Sequence, residues 1–143
     1  MTIQDYLNKI EALQRKKTKI AFLDDDDFEF CVQKINQSAE SFFMLDDLLQ
    51  KFSVIHINSD IVKLSANGLG LLFLEERESG NICFASSDEL RPEYRQSFKL
   101  VDFLDYVYAF MHSLVYKESQ KIIVPSEKDF FWKLAKIGSD LRK

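Results

Sequence analysis

Ser53-Val54-Ile55-His56-Ile57-Asn58 is the stretch on which the fold class turns. Its side chains alternate, with Val54, His56 and Asn58 on one side and Ile55 and Ile57 on the other. Period two is the signature of a half-buried strand. Outward from it, Ile61–Ser65 (IVKLS) reads as a second strand and Ala66-Asn67-Gly68 as a turn, since Asn and Gly tolerate positive φ. Leu69–Glu76 and Asn81–Ser86 read as a hairpin about Arg77-Glu78-Ser79-Gly80. These connections are too short for parallel crossovers, so the expectation is an antiparallel β meander over about residues 53–86.

On both sides of this stretch the apolar period becomes helical. Ile3, Tyr6, Leu7, Ile10 and Leu13 share one face, with Thr2 and Asp5 placed to cap the helix. Arg15, Lys16, Lys17 and Lys19 stand at its far end, where cations favour the helix dipole. Lys19–Leu23 (KIAFL) reads as a short strand. Phe28, Cys31, Val32, Ile35 and Ala39 suggest a second helix. Phe42, Leu45, Leu48, Leu49 and Phe52 suggest a third. After Pro92 a long stripe of Leu100, Phe103, Leu104, Val107, Tyr108, Met111, Leu114 and Val115 predicts a single helix. Lys121–Val124 (KIIV) reads as extended. A final helix presents Phe130, Phe131, Leu134, Ile137 and Leu141 behind a capping signal at Ser126–Asp129. Helices, then strands, then helices indicate an α+β fold in which helices from both ends close over a small antiparallel sheet. The 143 residues form one expected domain.

The composition fits a packed globular core: 46% hydrophobic, 29% charged, with 13 Phe against 5 Tyr and 1 Trp. Phe offers no polar handle, so its surplus points to packing. Its recurrence at 28, 42, 52, 103, 130 and 131, and in the meander at 73 and 84, marks these positions as core. A net charge of −4 lacks the basic excess on which non-specific nucleic-acid binding rests. Cys31 and Cys83 have neither CxxC spacing nor clustered His, which suits two free thiols in a reducing compartment. The amino-terminal segment is amphipathic and unlike a signal peptide. No apolar run approaches the ~20 residues of a membrane span. A cytoplasmic protein with neither nucleic acid nor membrane as partner is therefore expected.

Three polar features stand out. Asp24-Asp25-Asp26-Asp27 follows the KIAFL strand. In that position it resembles the start of a response-regulator receiver domain, where carboxylates ligate Mg²⁺ or accept a phosphoryl group. The alternating β/α series of that family does not continue here. An N-cap and acidic first turn of a helix, favoured by the helix dipole, is the simpler account of the run. His56 and His112 are the two histidines. His56 is expected to face solvent. His112 is expected on a ridge with Tyr108 and Tyr116, at i−4 and i+4. The connector Glu89–Gln96 carries Arg91, Tyr94 and Arg95, two guanidiniums around a phenol, a combination suited to a phosphate or carboxylate. These three are the candidate ligand-binding residues. No P-loop, GxGxxG or GxSxG is present, so no catalytic set, metal site or cofactor is assigned.

Val62-Lys63-Leu64-Ser65-Ala66-Asn67-Gly68-Leu69-Gly70, preceded by Asp60, resembles the strand–turn–strand signature of PilZ domains, which bind cyclic di-GMP. The resemblance implies strands about the Ser65–Gly68 turn and a nucleotide beside it. The family's upstream basic arm has its nearest counterpart in Arg15 to Lys19. Three function classes follow. The first is a non-enzymatic interaction or regulatory protein with a protein partner or self-association as a homodimer. The second is a small-anion sensor. The third is a metal-dependent enzyme built on Asp24–Asp27.

Overall fold

The computed structural model describes residues 2–15, 26–51, 55–74 and 96–143. Seven helices and six short strands lie within them: α1 (Ile3–Arg15), α2 (Asp26–Gln37), β1 (Phe42–Met44), α3 (Leu45–Leu48), β2 (Leu49–Lys51), β3 (Ile55–Ile57), α4 (Ser59–Leu69), β4 (Leu72–Leu74), β5 (Ser97–Lys99), α5 (Leu100–Phe110), α6 (Leu114–Ser119), β6 (Lys121–Ile123) and α7 (Lys128–Arg142). The fold is α+β, with helices at both ends of the chain.

α5 is its axis. Asp102 starts the helix by accepting the Lys99 amide at 2.9 Å. Every side chain from Phe103 to Phe110 is then buried. Such a helix must be covered on all sides, and α7 lies along it. Phe131 meets Tyr106 with ring centroids 5.5 Å apart and Phe98 at 5.4 Å. Gly138 lets the helices approach: a Cβ there would stand 1.9 Å from the Asp105 carbonyl oxygen. Each fully buried Phe in this centre contributes roughly 1.5–3 kcal/mol.

α1 begins as its sequence predicts. Thr2 Oγ1 accepts the Asp5 amide at 3.0 Å, and Asp5 Oδ2 accepts the Thr2 amide at 3.0 Å. Tyr6, Leu7 and Ile10 are its buried face. α2 buries Phe28, Cys31, Val32 and Ile35, and α7 follows the carboxy-terminal stripe.

The strands depart from a single meander. Among the described residues they form three two-stranded ladders. β1 pairs antiparallel with β6, Phe43 opposite Ile122. β2 pairs antiparallel with β3, Gln50 opposite His56. β4 and β5 run parallel, Phe73 opposite Phe98, their rings stacked at 5.4 Å. A parallel pair needs a crossover of a dozen residues or more, and the chain between Leu74 and Ser97 supplies that length. The hairpin expected about residues 77–80 and the strand expected at 19–23 lie outside the described residues.

Two further expectations are corrected. Phe42 to Leu49 is not one helix. Phe42 and Met44 are exposed while Phe43 is buried, a period of two fixed by pairing with the distant β6. Asp47 then accepts the Met44 amide and starts the single turn of α3. Ile61–Ser65 is not a strand, and Ala66-Asn67-Gly68 is not a turn. Both lie in α4. Asn58 Oδ1 accepts the Asp60 amide at 3.1 Å as N-cap. Val62, Ser65, Ala66 and Leu69 are buried at i, i+3, i+4 and i+7. Gly70, at φ 67°, closes the helix in the left-handed conformation that Gly adopts without strain. The strand–turn–strand signature resembling PilZ domains is therefore absent from this segment.

The core holds Phe28, Phe103 and Phe131 as expected, together with Phe43, Phe98 and Phe110. Phe42 is exposed, and Phe73 and Phe130 are half-buried. Phe52 and Phe84 lie outside the described residues.

Candidate functional site

Arg91, Tyr94 and Arg95 lie outside the described residues, as do Asp24, Asp25 and Cys83. Asp26 and Asp27 are exposed in the first turn of α2. Among the described residues no group of three His, Cys, Asp or Glu converges as a metal site requires, and no helix is long and apolar enough to cross a membrane. His56 is exposed on β3, as expected. His112 is half-buried, but the ridge proposed around it is broken. α5 ends at Phe110, and Ser113 starts α6 by accepting the Tyr116 amide at 3.2 Å while donating to the Phe110 carbonyl at 2.6 Å. His112 keeps only its upstream neighbour: Nδ1 donates to the Tyr108 carbonyl at 2.8 Å, and the rings meet edge-on at 5.1 Å. Burial pushes the His112 pKa down, against the pull of that carbonyl. Burial also raises Tyr116, to about 12, with Asp46 adding to the shift.

The structure joins two sets of residues that the sequence does not. The first is a buried clasp. Tyr6 Oη donates to Asp105 Oδ1 at 2.6 Å, and Arg142 Nε donates to the same oxygen at 2.7 Å. Arg142 Nη2 reaches Oδ2 at 3.3 Å, and its guanidinium lies 5.4 Å from the Tyr6 ring centre. Asp105 and Arg142 are both almost fully buried. Burial raises the Asp105 carboxyl, opposed by the donors of Arg142 and Tyr6. The Tyr6 hydroxyl is raised by burial first and by the Asp105 charge second. Lys9 Nζ donates to the Arg142 carbonyl at 3.1 Å. α1, α5 and α7 are thus tied by one carboxylate. With three donors on it, this carboxylate holds helices together.

The second is a groove of about 680 Å³ between α2 and α7. Buried Phe28, Cys31 and Trp132 form its floor, and half-buried Phe130 and Ile137 widen it. Its rim is charged and exposed. Asp27 stands on α2. Asp129, Lys133, Lys136 and Asp140 run along α7. Those four follow i, i+4, i+7 and i+11, one line down a helix face. Each falls outside the buried stripe of α7. A second helical stripe of charge was therefore legible in the sequence; that it borders a hollow was not. Three residues beyond Asp27, Phe30 is 59% exposed, with Lys34 Nζ 5.3 Å from its ring centre. Glu29 turns the other way and accepts the Leu114 amide at 3.3 Å, tying α2 to the start of α6.

Comparison of this chain with protein families, with curated proteins and with solved structures finds no match in any of the three.

Proposed function

We propose that this chain is a non-enzymatic interaction module that receives a protein partner in the α2–α7 groove. The shape of the groove carries this reading. Its α7 wall runs from Asp129 to Asp140, three turns or about 16 Å at 1.5 Å per residue. An open trough of that length with an apolar floor and charged edges matches the way grooves take an amphipathic helix. On the same helix as Phe28, Phe30 is exposed, and aromatic side chains are enriched at interfaces.

The test is quantitative affinity capture from native extract with the wild-type chain and with Ile137→Arg, which fills the groove with a charge. Circular dichroism and the melting temperature establish that the variant folds. At least one protein should be retained by the wild-type chain and lost with Ile137→Arg. Identical captured sets would end this reading.

A further inference from the structure

We infer that the occupant of the α2–α7 groove is an amphipathic helix of another protein, charged basic–acidic–acidic–basic beside its apolar stripe. The inference rests on the groove being an interface and adds the chemistry of the partner. Along the α7 rim the exposed charges read minus, plus, plus, minus at Asp129, Lys133, Lys136 and Asp140, spaced 4, 3 and 4 residues. This order is a palindrome, with two consequences.

The α7 rim of a second copy of this chain is a poor occupant. If two α7 rims face each other in register, parallel alignment sets each residue against itself. Antiparallel alignment sets Asp129 against Asp140 and Lys133 against Lys136. Both place like charges together, which is destabilising. A helix with the opposite order, by contrast, meets four opposite charges in either direction. Half-buried Phe130 and Ile137, above the floor of Phe28 and Trp132, supply the apolar attraction, and the rim decides which helix is accepted.

Trp132 is the one Trp in the chain and lies on the groove floor, so its emission reports occupancy. The probes are two synthetic helical peptides with the same leucine stripe. One carries Lys, Glu, Glu, Lys at 4-3-4 spacing beside the stripe, and the other carries Glu, Lys, Lys, Glu. The protein is used as the full wild-type chain and as the quadruple variant Asp129→Lys, Lys133→Glu, Lys136→Glu, Asp140→Lys. Four exposed pairs of modest strength give an expected preference of about tenfold. The wild-type chain should favour the first peptide by that factor and the variant should favour the second. The preference should shrink as salt rises. Equal binding of the two peptides overturns the inference. So does a preference that the variant fails to invert, or an absence of any Trp132 response to either peptide. A groove-dependent partner captured without that inversion would leave the interaction module standing and remove only its charge code.

Discussion

Gly138→Ala tests the central feature of this fold, the contact of α5 with α7. In most helices the change stabilises, because Ala is better than Gly by about 1 kcal/mol in a helix interior. Here the added Cβ would lie 1.9 Å from the Asp105 carbonyl oxygen, 2.6 Å from its carbonyl carbon and 2.9 Å from its Cα, where ordinary contact begins at 3.4 Å. All three atoms are backbone, so no side chain can rotate away. The helices must part, and the aromatic contacts between them loosen with them. Overpacking of a dense core costs about 1–3 kcal/mol, and a backbone clash belongs at the upper end. Asp105 also carries the carboxylate that holds Tyr6 and Arg142, so moving its backbone disturbs the clasp. After the propensity gain, the net loss is about 2 kcal/mol or more. For 143 residues, with an unfolding entropy of about 2.1 cal/mol/K per residue, that lowers the melting temperature by about 7 °C. Calorimetry of both proteins measures it. Gly68→Ala in α4 is the control. Among the described residues its Cβ would meet only the Pro125 carbonyl oxygen, at 3.1 Å, and the change should stay within about 1 kcal/mol of wild type. A Gly138→Ala protein that melts at or above the wild-type temperature would refute the close approach of the two helices.

Two further outcomes follow from the buried polar groups. Tyr6→Phe removes a hydrogen bond to an ionised carboxylate and should cost about 1.5–3 kcal/mol. Arg142→Met strands that carboxylate in the core and should cost about 3–5 kcal/mol. Because both donors use Asp105 Oδ1, urea titrations should show the double variant departing from additivity by at least about 0.5 kcal/mol, and simple additivity would disprove a shared acceptor. Burial lowers the His112 pKa below its ordinary 6.5, so between those two values the unfolded chain binds more protons than the folded one. The His112 contribution is therefore complete above the unfolded pKa and is lost as pH falls through 6.5 toward the folded value. His112→Gln should flatten the fall in melting temperature from pH 7.5 to pH 5; a slope unchanged by the substitution would show that His112 titrates as freely folded as unfolded.

Where a segment's pattern and its burial come from the same face, sequence and structure agree. α1, α2, β3 and α7 each follow the period read from their residues, β6 is extended as read, and the Thr2–Asp5 cap forms as spaced. Disagreement arises where a local pattern admits two periods. Phe42, Leu45, Leu48 and Leu49 satisfy helical spacing, yet the chain there is strand, turn and strand, because β1 finds its partner some 80 residues away in β6. Residues 61–65 carry strand-like Ile and Val. The cap at Asn58, the stop at Gly70 and a buried face at i, i+3, i+4 and i+7 outweigh that preference. The stripe from Leu100 to Val115 is continuous in sequence, but Ser113 can both end one helix and start the next.

The candidate site was less legible still. Asp129, Lys133, Lys136 and Asp140 form a stripe that helical periodicity alone reveals, whereas the hollow they border exists only once α2 is set beside α7. The acidic run and the Arg-Tyr-Arg connector are visible in sequence because their residues lie close together in it. The Tyr6–Asp105–Arg142 clasp is not, because its members come from three helices. Periodicity and capping are properties of neighbouring residues, so the amino-acid order by itself determined the α+β class and most helical faces. Strand partners, the close pass of α5 over α7 and the groove depend on contacts between segments far apart in the chain, and only the tertiary structure decided them.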